Sequence, residues 1–158
     1  MPNLQARLKK AVTKAAGSVF WKKFTLTSSS ITTTAQDLTS ATTGDLAITE
    51  VILATDSTGL AGGTNFQLTA YGEIYGPNTL FVEAVANLGA SALRSLNAGS
   101  DDSTNDRFLS VTGAKAVLQA GDKIQYDSTV AACTGAGKVA IFIKFERIDE
   151  NADIASAV

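Results

Sequence analysis

Lys138-Val139-Ala140-Ile141-Phe142-Ile143-Lys144-Phe145-Glu146-Arg147-Ile148 is the stretch on which the fold turns. Val139, Ile141, Ile143 and Phe145 recur at every second position, with Ala140, Phe142, Lys144 and Glu146 between them. Side chains of an extended chain point alternately to opposite faces, so this spacing predicts a long β-strand with one buried face.

The same period extends through the rest of the chain. Val19 to Thr27 reads as a strand, with Phe20, Phe24 and Leu26 as its inward positions. Leu46 to Thr55 alternates with Leu46, Ile48, Val51 and Leu53 as its apolar members. Asn65–Tyr71, Thr79–Asn87, Ala116–Gln119 and Ile124–Ser128 are further strand candidates, with weaker ones near Ser91–Leu96 and Arg107–Thr112. Turn chemistry separates them: Gly59-Leu60-Ala61-Gly62-Gly63, Gly76-Pro77-Asn78 and Ala120-Gly121-Asp122. Ser28 to Thr34, almost all hydroxyl residues, is either a flexible link or an exposed edge strand. Short strands with no helix between them predict an all-β fold, an antiparallel β-sandwich or jelly roll of about eight strands. The sandwich is expected over residues 19–150, with a flexible acidic tail at 151–158.

One segment departs from the pattern. Leu4, Leu8, Val12 and Ala15 or Ala16 recur at three- and four-residue spacing, which predicts an amphipathic helix over residues 3–16 stopped by Gly17. Residues 1–18 therefore form a basic N-terminal arm ahead of the sandwich. Of the 13 basic residues, Arg7, Lys9, Lys10, Lys14, Lys22 and Lys23 all precede the first carboxylate, Asp37. The net charge of −2 hides a cationic arm on an acidic body. Such a split marks an arm that meets another surface. A helix this short is marginal alone in water, so it needs a surface to order it.

Composition limits the chemistry. With 158 residues the chain is one domain with a sizeable core. There is no histidine, which removes the commonest general base and most zinc and copper sites. No pair of carboxylates is placed across a cleft by the sequence, so no enzyme activity and no cofactor are expected. The single cysteine, Cys133, reads as a small core residue. Asp102, Thr104 and Asp106 alternate like the start of a calcium loop. However, Arg107 stands where such a loop needs glycine, so a solvated loop is the stronger reading. Gly59, Gly62 and Gly63 match no phosphate-binding spacing. No run approaches the roughly 18 apolar residues of a membrane-spanning helix, and no membrane partner is expected.

The candidate functional residues are those of a partner-docking arm: Leu4, Arg7, Leu8, Lys10, Val12, Lys14, Phe20, Trp21, Lys22 and Lys23. A thin apolar stripe flanked by cations suits a groove on a protein rimmed by acids. The competing arrangement folds the helix back on its own acidic body. A carbohydrate- or receptor-binding module is the alternative, with Trp21, Tyr71, Tyr75 and Tyr126 as aromatic platforms. Nucleic acid ranks behind both as a partner, because the acidic body would repel phosphate and only the arm could bind it.

Val117-Leu118-Gln119-Ala120-Gly121-Asp122-Lys123-Ile124, followed by a glycine-containing link and the strand Val139–Phe145, resembles the end of tumour-necrosis-factor-like and viral jelly rolls. With its small residues, its basic arm and its lack of histidine, the whole chain resembles the capsid decoration or cement-like proteins of tailed bacteriophages. That resemblance implies a homotrimeric jelly roll seated on an icosahedral shell, with a major capsid protein or another virion protein as partner. It further implies a structural place in the virion, assembled in the host cytoplasm. It assigns no individual binding residue.

Overall fold

The structure, a computed structural model, describes residues 14–73, 76–97, 101–102, 106–107 and 116–158. Eleven strands are formed among them: β1 (Val19–Thr27), β2 (Gln36–Asp37), β3 (Leu46–Thr55), β4 (Asn65–Gly72), β5 (Gly76–Ala84), β6 (Leu93–Asn97), β7 (Asp101–Asp102), β8 (Asp106–Arg107), β9 (Ala116–Leu118), β10 (Lys123–Thr129) and β11 (Lys138–Arg147). Two antiparallel sheets make a sandwich. Sheet A runs β1-β11-β3-β6, with β9 also on β3, and sheet B runs β2-β10-β4-β5. Strands β7 and β8 pair with each other.

The opening stretch behaves as its alternation requires. Along β11, Val139, Ile141, Ile143, Phe145 and Arg147 are buried, while the residues between them are more open. Inward side chains of both sheets join in one apolar cluster. Phe24, Leu26, Ile48 and Leu53 contribute from sheet A, and Phe66, Leu68, Ile124 and Tyr126 from sheet B. Burying such side chains stabilises the fold by about 1.5–3 kcal/mol each.

Two strands need an extra residue to keep their apolar members inside. In β3, Glu50 faces Lys144 and Ile48 faces Phe145, so Thr49 is bulged out of the pairing. The bulge shifts the phase, so that Leu46 and Ile48 before it and Val51 and Leu53 after it all point inward. In β5, Leu68 faces Phe81 and Thr69 faces Thr79, leaving Leu80 as the extra residue. Both Leu80 and Phe81 are buried as a result.

Several sequence expectations are corrected. The hydroxyl stretch is neither a link nor an edge strand. Ser28–Ser30 form a 3₁₀ turn with Ser28 buried, and Ile31 is a core residue whose carbonyl accepts from the Cys133 N–H. Gly76, Pro77 and Asn78 lie in β5 rather than in a turn. β5 is the edge of sheet B, where a proline's missing N–H costs no ladder bond. The strand expected through Asn87 gives way to a 3₁₀ turn at Val85–Leu88. Most of the weak strand at Arg107–Thr112 lies outside the described residues.

The tail expected to be flexible is pinned instead. Ala152 and Ile154 are buried, and Ser156 bridges to Thr39. Backbone N–H groups of Ser40, Thr43 and Ala157 close bonds between this tail and residues 38–43. Two apolar side chains among small residues suffice to seal the end of the sandwich there.

Glycines in the 59–63 run serve packing as well as turning. Gly59 has φ +73, and a Cβ at Gly137 would collide with the Gly59 carbonyl. The two loops approach too closely for any side chain. No helix among the described residues is long and apolar enough to cross a membrane.

Candidate docking surface

Register fixes what sheet A presents to the outside. Reading across β1, β11, β3 and the β6 or β9 strand, four rows run Val19–Glu146–Ala47–Val117, Trp21–Lys144–Glu50–Asn97, Lys23–Phe142–Ile52–Ser95 and Thr25–Ala140–Ala54–Leu93. Nine of these sixteen positions are apolar, three of them alanine, and Lys23, Lys144, Glu50 and Glu146 stand among them. Val19 is 54% exposed, Trp21 45% and Leu93 70%. Lysines share the aromatic rings: Lys144 Nζ lies 5.7 Å from the Trp21 ring centre and Lys23 Nζ 5.5 Å from that of Phe142. Each such contact is worth about 0.5–1 kcal/mol at an exposed site.

The expected arm residues divide into three groups. Leu4, Arg7, Leu8, Lys10 and Val12 lie outside the described residues. Trp21 and Lys23 stand on the outer face of sheet A. Phe20 and Lys22 share the opposite face of β1 with Lys14, and there they bind the chain to itself. Phe20 stacks on Phe145 at 5.3 Å between ring centres and carries the Arg147 guanidinium 4.0 Å above its ring. Lys14 pairs with Asp153, and Lys22 lies 3.7 Å from the same carboxylate. Partial burial pushes the Asp153 carboxyl up. The hydrogen bond from Lys14, the Ile154 N–H and the Lys22 charge outweigh it and hold the group below its ordinary value.

The end of the expected helix is also revised. Lys14 and Ala15 are not helical, and Ala16-Gly17 form a turn with Gly17 at φ +79. Beyond this turn the root is held by the tail rather than by the β1–β11 ladder, which begins at Val19. The Asn151 N–H donates to the Lys14 carbonyl at 2.8 Å, and the Lys14 N–H donates to Asn151 Oδ1 at 3.1 Å. In the single chain Lys14, Ser18 and Lys22 are thus held by residues 147–153.

Arg147 is the residue sequence reasoning missed. It is 8% exposed, donates through Nε to the Ala152 carbonyl at 2.8 Å and through Nη1 to Ser18 Oγ at 3.1 Å, and packs on Phe20. One side chain ties the arm root, the last strand and the tail together. Its signal was in the opening stretch, because position 147 falls in phase with Val139 through Phe145.

The aromatic platforms do not converge. Trp21 is on sheet A, Tyr71 on sheet B, and Tyr126 is buried with its hydroxyl donating to Gln36 Oε1 at 3.2 Å. Tyr75 lies outside the described residues. Asp102 and Asp106 are paired positions of the β7–β8 hairpin, and Thr104 lies outside the described residues. Among the described residues no three His, Cys, Asp or Glu side chains gather as for a metal. Cys133 is buried, and that burial pushes its thiol up, which keeps it protonated. The Ala120-Gly121-Asp122 motif is a turn: Asp122 Oδ2 accepts from the Gln119 N–H at 2.7 Å, and Gly121 takes φ +94.

Fold and surface together define a β-sandwich with an uncovered apolar sheet face and a basic leading segment. No protein-family profile matches the chain, and no curated protein matches it in sequence. Among solved structures it is similar to the capsid asymmetric unit of cyanophage Pam1, with a TM-score of 0.44 and 15% identity over 82% of this chain and 84% of that one. It is also similar to a Bacillus endospore appendage described as a disulfide-linked pilus, with a TM-score of 0.36 and 13% identity over 85% and 93%. Infectious bursal disease virus VP2, from a subviral particle, gives a TM-score of 0.24 and 12% identity over 90% of this chain and 38% of that one. These structural neighbours include viral capsid proteins, like the family that the sequence resembles. Likeness this distant carries no functional argument.

Proposed function

We propose that this protein is a non-enzymatic structural subunit of a virion, a decoration or cement-type jelly roll that docks on the shell or on neighbouring subunits. The observation that carries the reading is the outer face of sheet A, where exposed Trp21 and Leu93 and half-buried Phe142 and Ile52 form an apolar band edged by lysines. A band of this kind on a small domain marks an interface with another protein. The strand order supports the jelly-roll assignment. Two sheets, β1-β11-β3-β6 and β2-β10-β4-β5, receive the chain alternately from β1 to β4, with β4 and β5 paired as neighbours in one sheet, as in a fold of two interleaved Greek keys.

The arm adds reach and orientation. Leu4, Leu8 and Val12 supply its stripe, and Arg7 and Lys10 its charge. Trp21 and Lys23 carry the contact onto the sheet. Assembly as a homotrimer closes the Ile52–Leu93 end of the band by symmetry, and a major capsid protein is the further partner at the Trp21 end.

Co-sedimentation with assembled particles tests the reading, beside light scattering of the free protein. The intact chain is expected to form an oligomer and to pellet with particles. Removing residues 1–13 is expected to leave folding intact and weaken attachment. A monomer that attaches equally well without those residues would overturn the reading.

A further inference from the structure

β1 is a terminal strand of sheet A, paired only with β11 among the described residues. Its hydrogen-bond phase is set at both ends: the Arg147 N–H donates to the Ser18 carbonyl, and the Ser28 N–H donates to the Gly137 carbonyl. In an antiparallel ladder, bonding alternates residue by residue. The even-numbered residues of β1 therefore bond to β11. Val19, Trp21, Lys23 and Thr25 turn their backbone N–H and C=O groups to the open edge. These same four residues hold the exposed side chains of the strand, so backbone and side chains offer one continuous strip.

The charge of β1 itself is basic, and the acid nearest to it on the outer face, Glu146, stands opposite Val19 at the end of the strand. β1 carries Lys22 and Lys23 and no acid, and Lys144 stands opposite Trp21 on the same outer face. A second copy pairing antiparallel to β1 would bring these lysines together, and facing like charges are destabilising. An acidic strand whose carboxylates lie over Lys23 and Lys144 meets no such opposition.

We infer that the open edge of β1 takes an extended segment of a partner protein as an added strand. That segment alternates carboxylates with β-branched apolar residues. The incoming backbone completes the ladder at Val19, Trp21, Lys23 and Thr25, its carboxylates meet Lys23 and Lys144, and its apolar side chains cover Trp21. This rests on the docking reading above, because it names the chemistry of the partner at that same face.

Trp21 is the only tryptophan in the chain, so its emission reports on this strip. A blocked synthetic peptide alternating Glu and Val is titrated into the intact protein, beside the same peptide with Lys in place of Glu. The glutamate peptide is expected to give a saturable blue shift that weakens with salt, and the lysine peptide none. Thr25→Pro removes an N–H that points away from β11, so it is expected to leave the melting temperature nearly unchanged and weaken binding by about tenfold. Lys23→Glu, which alters no backbone group, is expected to reverse the preference between the peptides.

No saturable shift with the glutamate peptide, or an unchanged preference in Lys23→Glu, would overturn the inference. A concentration-dependent shift of the protein alone would assign the edge to a second copy and overturn it too. If the peptide binds as expected but the protein never pellets with particles, the virion reading fails and the edge assignment stands.

Discussion

The outer faces of the two sheets carry different chemistry on the same architecture. On sheet B, Asp37, Gln125, Lys123, Asp127 and Gln67 answer one another. Gln125 donates to Asp37 Oδ1 at 2.8 Å and Lys123 to Asp37 Oδ2 at 2.6 Å, and Gln67 hydrogen-bonds to Asp127. On sheet A, lysines lie against the Trp21 and Phe142 rings, and Glu50 and Ser95 share the rows of Trp21 and Ile52. The polar face finds most of its partners within the single chain, leaving Asp127 Oδ1 without one, whereas the apolar face gains cover only from another surface. A strand's outward positions thus reveal whether a sheet is meant to meet water or protein.

The largest test of the contrast lies within β11. Phe145→Ala is expected to destabilise the fold by about 3–5 kcal/mol, because Phe145 is fully buried against Phe20. Phe142→Ala, three residues away on the outer face, is expected to cost less than about 1 kcal/mol while reducing particle attachment. Urea unfolding followed by co-sedimentation separates the two. Equal losses of stability would erase the distinction between the faces.

Next in size is Arg147→Met, which keeps an apolar stem but leaves the Ala152 carbonyl and Ser18 Oγ without their partner. A cost of about 1–3 kcal/mol is expected in urea unfolding, with faster proteolysis at the 14–18 root.

Smaller effects come from carboxylates. Hydrogen bonds from Gln125 and Lys123 hold Asp37 below its ordinary value. Asp153 is held low in the same sense. Their contribution is therefore present at neutral pH and disappears as pH falls through the lowered folded-state values. Asp37→Asn and Asp153→Asn should each flatten the acid limb of a melting-temperature profile. Both groups are partly exposed, so losses of less than about 1 kcal/mol are expected.

Asp127 runs the other way. Burial pushes its carboxyl up against the hydrogen bond from Gln67, so its charge opposes folding at neutral pH. Asp127→Asn is expected to raise the melting temperature at pH 7 by a few degrees at most. The gain should vanish in acid, where the wild-type carboxyl is protonated in both states. A lower melting temperature at pH 7 would show that sheet B needs the charge.

Much of the fold was legible because alternation and burial express one geometry. Val139 through Phe145 gave the phase of β11, and Phe24 and Leu26 that of β1. What escaped the sequence depends on partners distant along the chain. Ser28 is buried because loops from elsewhere close over it, which no run of serines discloses. The tail residues Ala152 and Ile154 looked too small to hold, yet they meet residues 38–43. For the docking surface, sequence identified Trp21 and Lys23. It grouped them with Phe20 and Lys22, which register places on the opposite face. The charge split was real, but Asp153 takes up Lys14 and Lys22 within the chain.

The turn that roots the arm has a mechanical consequence. A pull applied at Lys14 loads its two bonds to Asn151 and the bond from Gly17 to Arg147 before it reaches the β1–β11 ladder. The ladder that holds β1 in the sandwich is the last part of the root to feel a load on the arm.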